Sequence, residues 1–431
     1  MSFPFAVALV TLFGLAAIGA PISLGMIVSA VAYLFVKGQD LGLAAEQVIQ
    51  GIYDSFVILA VPLFIVAANI MNAGTISERL LQFCVLLVGR VRGGLGHVNV
   101  VTSIIFSGMS GSAIADAAGI GKLITEMMAK DGRYPRGYAA ALTAASAVIG
   151  PIIPPSIPMV MYSLVSDASI GYMFIGGFLP GLLIGLVLSV VNHWIAVKRN
   201  FALEEPVPLS ELPRTTFRAL PALMMPAILL YGIYGGVATP TEAAAVAAAY
   251  SLILAGIFYR AISLRDLYGV FLESAKGSAS VGLLIGGALI FNYIVASENI
   301  PGQVSEWLKD VQVSPLVFLI GVNVLLLVLG CFIDASTIIL VIVPLFIPAC
   351  NALGIDLVHF GVVVVINTMI GLITPPYGVL LFVTNAVTGI PLREMIDEIW
   401  IFIAVLVATL AILILFPESV LWLPRQFGYV G

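Results

Sequence analysis

The sequence predicts an all-α polytopic membrane protein made of two inverted halves, each with a re-entrant helical hairpin and a discontinuous helix. Three observations predict it. The 431 residues are 61% hydrophobic and only 10% charged, with a mean hydropathy of +1.14, more apolar surface than a soluble core could bury. Two apolar runs, 98–129 and 315–350, are too long for one span and too short for two. Polar interruptions of similar composition recur at matching places in the two halves.

Apolar runs fall at 3–19, 21–36, 52–72, 98–129, 137–165, 172–197, 217–238, 241–259, 278–296, 315–350, 359–388 and 396–416. A simple span takes about 20 apolar residues. The first run lacks a basic leader and a small-residue cleavage site, so it reads as a retained span and not a signal peptide. Split at their polar centres, 98–129 and 315–350 give arms of roughly 14 residues, about 21 Å at helical rise. Such arms stop short of the far side of a ~30 Å hydrocarbon core and turn back.

Charge supports the hairpins. If 98–129 enters and leaves on the cytoplasmic side and 315–350 on the opposite side, fourteen of the eighteen basic residues are cytoplasmic, Arg90, Arg92, Arg133 and Arg136 among them. Lys37, Lys309 and Arg425 face outward, and Lys122 lies within the first hairpin. That asymmetry satisfies the positive-inside rule, which a single crossing at 98–129 would break.

The first half, 1–198, carries the tip "SGMSGSAIAD" at 107–116 and then "VIGPIIPPSIPMVMYS" at 148–163 within the broken helix 137–165. The second half, 217–431, carries "GCFIDAST" at 330–337 and then "MIGLITPPYGVLLFVT" at 369–384 within the broken helix 359–388. Asp116 precedes Pro154-Pro155 by 38 residues, and Asp334 precedes Pro375-Pro376 by 41. Even the lead-ins "GTISERL" at 74–80 and "GQVSEWL" at 302–308 match. The proline-rich stretch 199–216 is a cytoplasmic linker. In "TPTEAAAVAAAY" a capping box is expected, Thr239 at the cap, Pro240 at the first helical position and Glu242 at the third.

Proline removes a backbone donor and frees carbonyls of the preceding turn. In a membrane such breaks persist only where protein or a wet cavity receives them. Paired discontinuous helices mark the midplane site of secondary transporters, with carbonyls and hydroxyls around small cations and half-helix N-termini toward anionic groups. Asp116 and Asp334 are intramembrane carboxylates, hence functional-site residues by default. Each could instead cap the returning arm of its hairpin. Lys122 and Glu126, four apart, are expected to form a local ion pair snorkelling toward the cytoplasm, the alternative being a cation near the path of an anionic substrate. Ser297, Glu298 and Asn299 end a span beside Pro301, where they face either the substrate path or an ordinary helix end.

Other chemistries are excluded by pattern. Cys84, Cys331, Cys350, His97, His193 and His359 are scattered without metal-ligand spacing. His97 and His359 sit at membrane entry points, where interfacial placement is the default and proton coupling a minor option. Neither a Walker A motif nor a basic nucleic-acid patch is present, so no nucleic acid is expected as partner and no ATP hydrolysis by this chain.

The motifs "FSGMSGSAIADAAGIG", "RGYAAALTAASAVIGPIIPPSIPMVMY", "TPTEAAAVAA" and "NTMIGLITPPYGVLLFV", in that order, strongly resemble the large membrane subunit (DctM type) of tripartite ATP-independent periplasmic (TRAP) transporters. The resemblance implies an elevator-type fold of the ion transporter superfamily, with a scaffold and a mobile domain bearing both hairpins. It also implies a sodium-driven importer of organic anions such as C4-dicarboxylates, sialic acids and sugar acids in the bacterial inner membrane. The implied partners are a small four-helix membrane subunit, separate because no fused four-span module is present, a periplasmic substrate-binding protein, and lipid.

Sodium ions are the only metal implied, as coupling ions and not as a cofactor. Carried over, one sodium site takes Ser107, Ser110, Gly111, Ser112 and Asp116 with Gly150 and Pro154. The other takes Gly330, Asp334, Ser336 and Thr337 with Gly371, Thr374 and Pro375. Substrate contacts are expected from Pro155, Ser156, Asn299, Asp334 and Pro376. The alternatives are a stand-alone sodium–dicarboxylate symporter and, remotely, an intramembrane aspartyl protease using Asp116 and Asp334 as a dyad, which would need near contact between them.

Overall fold

The computed structural model describes residues 2–53, 56–73, 76–201, 203 and 209–431. Gly74 and Thr75 of the first lead-in and residues 202 and 204–208 of the expected linker 199–216 lie outside them, while 212–216 of that linker already belong to a helix. No strand occurs among the described residues. The chain opens with α1 (Phe3–Ala17) and α2 (Ile22–Lys37), which pack together across a turn at Gly19, where φ is +82°. Three helices follow, α3 (Gly42–Tyr53), α4 (Ala60–Ala73) and α5 (Ile76–Val88).

The run expected as the first hairpin folds into two arms. Helix α6 (Gly94–Ser110) stops at Gly111, where φ is +60°, and the chain returns as α7 (Ala113–Asp116), a π turn (Ala117–Gly121) and α8 (Lys122–Ala129). Both α7 and α8 pack back on α6. The first broken helix is α9 (Arg136–Ala147) and α10 (Ile157–Ser166), and α11 (Ile170–Lys198) closes this half.

Beyond the linker come α12 (Leu212–Tyr234), α13 (Pro240–Ile253), α14 (Leu264–Ser297) and α15 (Ile300–Asp310). The capping box starts α13: the Glu242 amide donates to Thr239 Oγ1 at 3.3 Å, and the Thr239 amide to Glu242 Oε2 at 2.7 Å. The second hairpin has α16 (Pro315–Gly330), α17 (Ala335–Thr337), a π turn (Ile338–Ile342) and, past a 3-10 turn, α18 (Ile347–Ala352). The second broken helix is α19 (Leu357–Gly371) and α20 (Val379–Thr388). Then come α21 (Leu392–Leu415) and α22 (Glu418–Gln426). Among the described residues five helices are long and apolar enough to cross a membrane, at 170–198, 212–234, 240–258, 265–297 and 392–415.

Packing is crosswise. Helix α9 lies against its own hairpin through α6 and α8, and α19 against its own through α16. The second arms exchange: α10 packs on α17 and its π turn, while α20 packs on α8 and the π turn of the first hairpin. Tight pairings also group α1, α2, α4, α13 and α14, which come from both sequence halves, and α4 and α14 of this group touch the hairpins as well.

Two local expectations are corrected. Lys122 and Glu126 are both exposed and form no ion pair, each being free to extend to water from the end of the hairpin. Glu298 is not a bare helix end: it accepts from Tyr33 Oη at 2.7 Å and lies 3.6 Å from Lys37 Nζ, tying α14 to α2.

The hairpin reading makes a direct prediction. Arg90→Cys and Arg133→Cys, introduced singly on either side of 98–129, should both react with an impermeant maleimide from the cytoplasmic face. Reaction from opposite faces would show that the segment crosses.

Candidate functional site

Each break in the chain has a physical cause. At the first tip, a Cβ on Gly111 would lie 2.5 Å from the Pro155 carbonyl oxygen, and the positive φ also favours glycine. The returning arm is capped by Ser112, whose Oγ accepts from the Ala115 amide at 3.3 Å. Asp116 is therefore not the cap that its position allowed. It sits a turn further on, 1% exposed, with Oδ1 accepting from the Ser110 hydroxyl and Oδ2 without a hydrogen-bond partner. That second oxygen points at Gly150: a Cβ there would approach it to 2.3 Å. The carboxylate thus joins the tip, the returning arm and the break after α9.

The second tip differs. Asp334 itself is the cap, accepting from the Ser336 amide at 2.9 Å. Its counterpart in role is Ser112, not Asp116, so the two aspartates are not equivalent. Here the backbones meet directly, since a Cβ on Gly371 would lie 2.7 Å from Gly330 Cα. Both Pro-Pro bonds, 154–155 and 375–376, are cis. Thr374 Oγ1 is turned inward, donating to the Ile370 carbonyl at 2.7 Å.

A cavity of about 370 Å³ lies where these parts converge. Ser110, Gly111 and Ser112 of the first tip line it together with Asp334 and Ser336 of the second. Pro151, Ile157 and Pro158 add the first break, and Met369 and Leu372 the second. Its remaining wall comes from α4 (Ile65, Asn69) and α14 (Glu273, Gly277, Val281). No lysine, arginine or histidine lines it among the described residues.

Several expected substrate contacts fall outside this cavity. Ser156 is fully buried as the cap of α10, its hydroxyl bonded to the Pro151 carbonyl and accepting from the Met159 amide. Pro155 is buried against Gly111, and Pro376 is exposed elsewhere. Asn299 occupies an exposed left-handed position, φ +52°, between α14 and α15. Of the five, only Asp334 lines the cavity. Asn69 and Glu273 were missed, although polar residues in or beside apolar runs are a legible signal. Asn69 donates to Ser274 Oγ at 2.9 Å, which fixes α4 against α14.

A cavity between two hairpin tips and two broken helices, inside a bundle of apolar helices, defines a membrane transport protein. The description "Tripartite ATP-independent periplasmic transporter, DctM component" matches residues 9–419. The chain is 40% identical over 418 residues to the sialic acid TRAP transporter large permease protein SiaM of Vibrio cholerae, covering 96% of this chain and 97% of that one. It is 38% identical over 375 residues to the C4-dicarboxylate TRAP transporter large permease protein DctM of Pseudomonas aeruginosa, covering 87% and 88%. Its fold is similar to that of the Alcanivorax borkumensis YdaH transporter, with a TM-score of 0.62 at 15% identity over 89% of this chain and 88% of that one.

The chain belongs to the DctM family, the large permease subunits of TRAP transporters, and is a multi-pass inner-membrane protein and not an enzyme. The protease alternative ends there.

Proposed function

We propose that this subunit couples inward sodium movement to import of a small organic anion, by elevator motion of the hairpins and broken helices past the group formed by α1, α2, α4, α13 and α14. The observation that carries the reading is Asp116: a fully buried carboxylate with one unpartnered oxygen facing the break at Gly150. An unpaired buried charge is costly, and a small cation held among the neighbouring hydroxyls and carbonyls removes that cost. The first ion site is then Ser107, Ser110, Gly111, Ser112 and Asp116 with Gly150 and Pro154. A second is read at Gly330, Asp334, Ser336 and Thr337 with Gly371, Thr374 and Pro375.

The substrate occupies the cavity between the tips. With no basic side chain on its walls, a carboxylate there draws its positive potential from the bound ions and from the N-terminus of α10, whose Ile157 and Pro158 open onto the cavity. Obligatory sodium coupling follows from that electrostatics. Relatives named for sialic acid and for C4-dicarboxylates bracket the substrate class. Membership in the family supports a small membrane subunit and a periplasmic binding protein as partners, over a stand-alone symporter.

Proteoliposomes holding the assembled transporter, with its binding protein outside, should take up an organic acid only under an inward sodium gradient and with no response to ATP. Equal rates with choline in place of sodium would reject the coupling. Undiminished uptake without the binding protein would favour the stand-alone symporter.

A further inference from the structure

A buried polar seam leads away from Asp116 toward the end of the hairpin where Lys130, Arg133 and Arg136 cluster, the side that the positive-inside rule makes cytoplasmic. Along α6, Asn99, Ser103, Ser107 and Ser110 recur at spacings of four, four and three, which puts them on one face. That face meets α9. Ser103 Oγ donates to Ser146 Oγ at 3.0 Å, Ser146 donates to Asn99 Oδ1 at 3.0 Å, and Asn99 Nδ2 donates to Thr143 Oγ1 at 2.7 Å. Thr143 Oγ1 in turn lies 2.7 Å from Thr125 Oγ1 on the returning arm. All five side chains are at most 5% exposed.

The seam runs between the buried carboxylate read above as an ion site and a second cavity. At the upper end stand the unpartnered Asp116 oxygen and Gly150, seven residues beyond Thr143 and just past the end of α9. The lower end is a second cavity of about 370 Å³, lined by Thr125 and by the cytoplasmic-end residues Lys130, Arg136, Thr388 and Gly389. Among the described residues the second half has no such ladder. Between α16 and α19 the structure gives one polar tie, Asn367 Nδ2 donating to the Asn323 carbonyl at 2.7 Å and to its Oδ1 at 2.8 Å.

We propose that this seam is the cytoplasmic release path of the ion held at Asp116, with sodium handed along the hydroxyl and amide oxygens of Ser103, Ser146, Asn99, Thr143 and Thr125 as the first hairpin eases from α9. The proposal rests on the ion-site reading above. Uncharged oxygens at close intervals replace a cation's hydration without trapping it, which conduction requires. An apolar seam would impose a desolvation barrier instead. The one-sidedness of the ladder directs release inward.

The test separates the hydroxyl from its shape. Assembled transporter in nanodiscs is loaded with radioactive sodium and chased with unlabelled sodium, reading both affinity and exchange rate. Thr143→Val keeps the shape and removes the oxygen. It should slow exchange about tenfold, the rate equivalent of one lost polar partner, with affinity within about twofold of wild type. Thr143→Ser should exchange like wild type. Ser103→Ala, further up the ladder, should also slow exchange and serves if Thr143→Val does not fold. Wild-type exchange in Thr143→Val, or in Ser103→Ala when that variant serves instead, overturns the path. A wild-type protein that retains no sodium, or an Asp116→Asn variant that retains it fully, overturns the ion site itself.

Discussion

Asp116→Asn is expected to raise the sodium concentration for half-maximal uptake by about a hundredfold, ~2.7 kcal/mol, while the protein still folds. The substitution keeps size and shape but removes the charge. In the present geometry Oδ2 has no protein partner, so the amide that replaces it breaks no hydrogen bond at that atom. Asn also retains an oxygen to accept from Ser110. What is lost is the one full negative charge in a fully buried site, where a cation has no water to fall back on. Asp334→Asn gives the contrast. Asp334 would serve the second ion site as the cap of α17 and not through its charge, and Asn caps nearly as well as Asp, so its sodium curve should move by much less. A sodium titration of uptake for both variants decides the matter. Curves for Asp116→Asn that overlay wild type would remove this carboxylate from the ion site.

Gly371→Ala should lower the melting temperature and abolish uptake together. The added Cβ would lie 2.7 Å from Gly330 Cα and 2.8 Å from its carbonyl carbon. Both partners are backbone at the ends of helices, so neither can swing aside as a side chain would. Overpacking of this kind costs about 1–3 kcal/mol, and relieving it means prising the second hairpin off the break in α19. Gly269→Ala is the control. It lies within α14 with nothing within 4 Å of its Cβ position, and alanine favours the helix by up to about 1 kcal/mol over glycine. Thermal unfolding in detergent and uptake in proteoliposomes should separate the two alanines. Normal melting and uptake for Gly371→Ala would mean that the Gly330–Gly371 contact is not part of the working site.

Much of the fold was legible because membranes constrain sequence strongly. Hairpin arms too short to span, prolines that must unwind a helix, and a capping box at Thr239–Glu242 are all local facts. Each is set by residues within a turn or two of one another, and the capping box and the ends of the helices fall at such residues. The family was legible for the same reason, since its motifs are those breaks.

The site was less so. The symmetry of the two motifs made Asp116 and Asp334 look alike, yet one is a buried carboxylate with a vacant oxygen and the other is a helix cap. A difference of four residues within the tip decides that, and only the folded turn shows which residue lands at the cap. Ser156 and Asn299 looked poised for substrate because they flank breaks. Burial and direction, which no spacing encodes, place them elsewhere.

The sequence by itself determined that this is a helical membrane protein with two broken-helix units, because hydropathy, proline and glycine act locally. Tertiary structure alone decided how those units share a cavity. Helix α10 crosses to the second hairpin and α20 to the first, and α4 and α14 close the cavity with Asn69 and Glu273. Those contacts join residues at least 250 positions apart in the case of α20 and the first hairpin. They depend on which faces of distant helices fit together, a property of the packed bundle and not of any stretch of chain.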